Sequence, residues 1–89
     1  MIERIWLVTQ ESKVDGEILF NVVPCVSEET AKKVMQDEIK TLLIESHFIS
    51  FADRPDDFIL EQTETSYYIE DTCDDYYEDI RIEEKQIQY

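Results

Sequence analysis

One glycine, two prolines, two cysteines, one histidine and eight basic side chains are thinly spread through 89 residues, and each shortage closes off a class of protein. A phosphate-cradling loop needs glycines close together so that backbone N–H groups can approach the ligand, and Gly16 stands alone. Two cysteines cannot build the multi-bridge framework of a small secreted domain, so Cys25 and Cys73 are read as free thiols. No apolar run approaches the roughly 18 residues of a membrane-spanning helix. The opening MIERIWLVTQ has no long apolar core with a small-residue cleavage site, and a cytoplasmic location is expected.

The shortage of Lys and Arg is the most telling. Twenty-two acids against eight bases give a net charge of −14. Residues 1–52 carry nine acids and five bases, residues 53–89 thirteen and three, so the two parts stand at −4 and −10. A field of this sign repels nucleic acid and anionic lipid and steers the chain toward basic surfaces, faster at low salt than at high. Direct nucleic-acid or membrane binding is not expected.

What is present is enough to fold. With 43% apolar residues and no repeated or Ser-rich tract, residues 1–89 read as one packed domain, too short for two cores. IERIWLV is rich in β-formers and reads as a strand covered on both faces, away from a sheet edge. A polar loop with Asp15 and Gly16 leads to EILFNVVP, a second strand with Ile18, Phe20 and Val22 on one side. The clearest pattern is SEETAKKVMQDEIKTLLIES. Ser27 is placed to accept from the free N–H groups of a first helical turn, and Glu28 and Glu29 complement the positive end of the dipole. Ala31, Val34, Met35, Ile39, Leu42 and Leu43 recur as one stripe, and the helix is expected to end near His47. After a loop around Pro55, FILEQ (58–62), SYYIED (66–71) and YYEDIRIEEKQI (76–87) read as three strands of a meander.

The expected fold is therefore α+β, in the order β-β-α-β-β-β, with one mainly antiparallel sheet and one helix packed on one face. In the last strand Tyr76, Ile80 and Ile82 form an inner set, while Tyr77, Asp79, Arg81, Glu83 and Lys85 face outward. Glu78 breaks the inner row, which points to an edge, a bulge or a wet end of the sheet.

The candidate site is this outward face. Carboxylates two apart on a strand lie about 6.6–6.8 Å apart, a spacing at which one pair in water repels by roughly 0.6 kcal/mol before screening. Gathering so many acids invites a functional explanation, with solubility as its competitor. The adjacent pairs Tyr67–Tyr68 and Tyr76–Tyr77 must each send one ring outward among the acids, where it can stack on a partner's Arg or on a neighbouring strand. Tyr77, Asp79 and Glu83 are the expected partner contacts, with Glu70, Asp71, Asp74 and Asp75 contributing to the field.

No cofactor or metal is expected. Asp71, Cys73 and Asp75 alternate like calcium-loop ligands, but Tyr76 stands where the turn glycine belongs and Ile82 where the bidentate Glu belongs. Cys25, His47 and Cys73 lack zinc-site spacing and the arrangement of a nucleophile with its base. Paired carboxylates need a cleft to separate their proton affinities, which an open face does not supply, so no enzymatic activity is expected.

In size, acidity and its tyrosine-rich acidic hairpin the chain resembles phage and mobile-element inhibitors that present DNA-like charge to nucleases and other DNA-binding proteins. That resemblance implies a non-catalytic interaction domain occupying the basic groove of a nucleic-acid-binding protein. The alternative is a small intracellular domain that self-associates or acts as a scaffold through an apolar face or free strand edge, with Trp6, Phe48 or Phe58 at the interface and the acids serving solubility only.

Overall fold

The computed structural model describes residues 2–45, 55–73 and 75–88. Strand β1 (Ile2–Val14) is followed by β2 (Glu17–Cys25), helix α1 (Glu28–Glu45), a single 3-10 turn (Pro55–Asp57), and strands β3 (Phe58–Gln62), β4 (Ser66–Asp71) and β5 (Tyr76–Gln88). The strands form one antiparallel sheet in the order β2-β1-β5-β4-β3. The fold is α+β, as the strand and helix patterns require.

The first hairpin is tighter and longer than a polar loop would make it. Asp15 and Gly16 are its only turn residues, with φ of 52° and 81°, the left-handed pair that a two-residue turn matched to strand twist demands. Val14 pairs with Glu17, and the ladder runs back to Trp6 opposite Cys25. Strand β1 thus continues six residues past Val8, through the polar segment that reads as loop. It pairs with β5 on its other side over 12 positions, from Ile2–Gln88 to Lys13–Tyr77, so it is an interior strand.

Helix α1 starts as its sequence dictates. The Ser27 hydroxyl accepts the Thr30 N–H at 3.1 Å, and Lys32 reaches back to Glu28 at 3.2 Å. The helix lies over β1, β5 and β2. Ala31, Met35, Ile39 and Leu42 are buried against Val8, Cys25, Phe58, Tyr67, Ile69 and Ile80, and Trp6, Val23, Val34, Leu43, Tyr76 and Ile82 pack around them. Each fully buried aliphatic side chain in such a cluster is worth about 1.5–3 kcal/mol.

Several expectations are corrected here. The helix covers one face of the sheet, and no described element covers β1 on the other face. Phe58 belongs to this core and is not available as an interface residue, while Trp6 is half-buried at its margin; Phe48 and His47 lie outside the described residues. Strand β5 is central, between β1 and β4, so Glu78 marks neither an edge nor a wet end. Glu78 is buried, and its Oε2 accepts from the Gln10 amide at 3.0 Å and from the Ser12 hydroxyl, both on the facing strand. The break in the apolar row is a satisfied internal polar cluster. On β2, Ile18, Phe20 and Val22 do share a side, but it is the side away from the helix, where they are exposed.

Candidate functional site

Pleating divides the side chains cleanly. The register Phe20–Glu11–Asp79–Tyr68–Glu61 crosses all five strands on the face opposite the helix. Ile18–Lys13–Tyr77–Glu70–Ile59 runs beside it, and Val22–Thr9–Arg81–Ser66 lies on the other side. No described element covers this face. Its middle is acidic and aromatic, and its β2 margin is apolar.

Of the seven expected site residues, Tyr77, Asp79, Glu83 and Glu70 come together on the open face. Asp75 sits in the β4–β5 turn at φ 58° and is held by Lys13 at 2.5 Å. Asp74 lies outside the described residues. Asp71 is a correction: it is fully buried on the helix side of β4, where its Oδ1 accepts the Cys73 N–H at 2.9 Å and closes the turn after the strand. A side chain so placed organises the hairpin and cannot contact a partner.

The open-face acids are also tied to groups of the chain itself. Arg81 holds both oxygens of Asp79 through Nε and Nη2, each at 3.0 Å, the bidentate fork that guanidinium geometry favours. The Asp79 side chain retains only 17% of its exposure. Lys85 stands 3.7 Å from Glu83, and Glu11 accepts from the Tyr77 hydroxyl at 2.9 Å. Five carboxylates (Glu11, Glu61, Glu70, Asp79, Glu83) thus share the face with Lys13, Arg81 and Lys85, a net of −2 among the described side chains. The pattern is a mixed patch in which Arg81 interrupts the acids of β5. Glu84 projects from the other face and meets Arg4 at 3.3 Å.

The tyrosine pairs divide as alternation requires. Tyr67 is buried, and Tyr76 lies on the helix side with its hydroxyl bonded to Asp15. Tyr68 and Tyr77 stack on the open face with centroids 6.0 Å apart and planes 27° apart. The Tyr77 phenol is pushed above its usual value, first by its hydrogen bond to Glu11. The Tyr68 phenol is raised by partial burial and then by Glu70, and Tyr67 by burial alone. Arg81 is held more firmly charged by Asp79. Beside the stack, Glu61, Ser66, Tyr68, Asp79, Arg81 and Glu83 line a shallow concavity.

Among the described residues no cluster of three or more His, Cys, Asp or Glu is arranged to hold a metal, and no helix is long and apolar enough to cross a membrane. Cys25 is buried and Cys73 exposed, and both are free thiols. The feature that sequence patterning missed is the apolar margin: Ile18, Phe20 and Val22 were visible as one side of a strand, but their orientation depends on the register with β1. No family model matches the chain, and neither curated proteins nor solved structures give a match.

Proposed function

We propose that the chain is a non-catalytic interaction domain that docks a basic protein surface on its open sheet face, with nucleic-acid-binding proteins as the partner class. The observation that carries this reading is the collection of Glu11, Glu61, Glu70, Asp79 and Glu83 around the stacked Tyr68 and Tyr77 on the face that no described element covers. Glu61 and Glu83 are exposed there and are the acids readiest to take a partner's Lys or Arg. Tyr68 and Tyr77 supply ring faces for a guanidinium. Because Arg81 and Lys85 lie among the acids, recognition rests on a mixed patch within a strongly negative whole, in place of an unbroken phosphate-like row. Inhibition follows from occupancy: a basic groove filled by this face is closed to nucleic acid.

The test uses an arginine- and lysine-rich peptide as the probe, titrated into the chain at low and high salt. A double charge reversal, Glu61→Lys with Glu83→Lys, is expected to weaken binding on the order of tenfold at low salt, since each exposed pair contributes up to about 1 kcal/mol. The control reversal Glu29→Lys with Asp37→Lys, on exposed helix positions, changes net charge equally and is expected to cost much less. Equal losses from both reversals would show that the probe reads only net charge, and binding indifferent to salt would sink the electrostatic basis altogether.

A further inference from the structure

The two edges of the sheet are built differently. Strand β3 is a protected edge, five residues long with a charged Glu61. Strand β2 has nine residues, and between Glu17 and Cys25 it carries no charge, with proline only at position 24. Ile18 is 62% exposed, Leu19 57% and Phe20 65%. A long, apolar edge strand whose interior carries no charge and whose register has no bulge is a template for pairing with another strand.

The hairpin identifies which backbone groups are open. The residues flanking a two-residue turn form a hydrogen-bonded pair, and such pairs alternate along an antiparallel ladder. Starting from Val14–Glu17, the odd positions of β2 bond to β1, while Ile18, Phe20 and Val22 aim both N–H and C=O outward. Pro24 is next in that series and has no N–H.

We infer that β2 pairs antiparallel with β2 of a second copy, about a two-fold axis at Phe20, to make one continuous ten-stranded sheet. In this register Ile18 faces Val22 of the other copy and Phe20 faces its equivalent, so every outward N–H and C=O of the three residues is satisfied. A two-fold at Val22 would place Phe20 opposite Pro24 and lose a donor, and one at Ile18 would run into the turn. Ile18, Phe20 and Val22 of both copies merge on the open face, and Leu19 packs beside Asn21 of the other copy on the helix side.

Charge placement permits the approach despite −14 on each chain. Glu17 falls opposite Val23, not another acid. On the open face, the Glu11 residues of the two copies are separated by three strand spacings, about 14 Å, well beyond the ~8 Å screening length at physiological salt. An interface of one strand pair is at the small end of specific contacts, so dissociation on the order of micromolar is expected. The pairing is independent of the basic-partner reading and has the opposite salt response.

Sedimentation over a concentration series tests it. The parent chain is expected to dimerise, equally well or better as salt rises. Phe20→Lys is expected to leave a monomer. Val22→Pro, which removes an outward donor from a strand whose inward bonds stay intact, is expected to do the same with an unchanged circular dichroism spectrum. The register is read by oxidising an equimolar mixture of Leu19→Cys and Asn21→Cys chains, each with Cys73→Ser. Non-hydrogen-bonded neighbours lie about 4.5 Å apart between Cα atoms, within disulfide reach, so the two variants are expected to link to each other in preference to themselves. A parent monomeric up to about millimolar concentration, a dimer surviving Phe20→Lys and Val22→Pro, or links without preference for the mixed pair would each overturn the inference, the last two by assigning β2 to another register or occupant.

Discussion

Removing one hydroxyl from the interior tests whether Glu78 is held as described. Glu78 is 6% exposed, and a single carboxylate oxygen takes both the Ser12 hydroxyl and the Gln10 amide. Ser12→Ala deletes the more buried donor and leaves a carboxylate that water cannot readily reach. A hydrogen bond to a charged group is worth about 1.5–3 kcal/mol, a large share of the roughly 4–13 kcal/mol expected for a domain of this length. With each kcal/mol moving the midpoint by about 4–8 °C at this size, thermal unfolding should fall by on the order of 10 °C. Adding Glu78→Leu removes the group that the hydroxyl served, and replacing a buried polar cluster by apolar volume is often nearly neutral. The double variant is expected within about 1 kcal/mol of the parent, with Gln10 turning its amide to solvent from its half-buried position. Urea unfolding followed by circular dichroism, with unchanged m-values, supplies the four free energies of the cycle. If Ser12→Ala stays within about 0.5 kcal/mol of the parent, or if the two changes simply add, the hydroxyl and carboxylate do not support one another and the account of β5 fails.

Two further outcomes follow from the hairpin side of the sheet. The phenols of Tyr67, Tyr68 and Tyr77 are raised in the fold above the ordinary value of about 10, so the neutral form is favoured in the native state. Their contribution to stability is complete below pH ~10 and is lost as pH rises through the folded values; ultraviolet titration should show part of the tyrosine absorbance appearing late, and reverting to ordinary titration in denaturant. Asp71→Ala removes the acceptor of the Cys73 N–H and should cost about 1.5–3 kcal/mol in urea unfolding, whereas a residue serving only as a surface charge would cost almost nothing.

The helix was legible because its information is local: Ser27, the first-turn acids and the stripe from Ala31 to Leu43 meet conditions within a few residues of one another. The three C-terminal strands were legible for a similar reason, since alternation and turn residues bound Phe58–Gln62, Ser66–Asp71 and the start of β5. The extension of β1 to Val14 was not. QESKV has little β propensity of its own and is extended because Asp15–Gly16 turns at its end and because it has a neighbour on each side. Glu78 was visible as an interruption, but its meaning depended on Ser12 and Gln10, which are 66 and 68 positions away.

The amino-acid order by itself determined the main element types, the acidity of the last third and the opposite directions of neighbouring side chains on β4 and β5, because composition and two-residue periodicity need no knowledge of partners. Only the tertiary arrangement decided which way each strand turned its two sides. Register with β1 sent Phe20 into water, pairing across β4 and β5 stacked Tyr68 on Tyr77, and the sheet put Asp71 inside while Arg81 closed on Asp79. A strand has two faces of equal standing until neighbouring strands and the helix make one of them the interior.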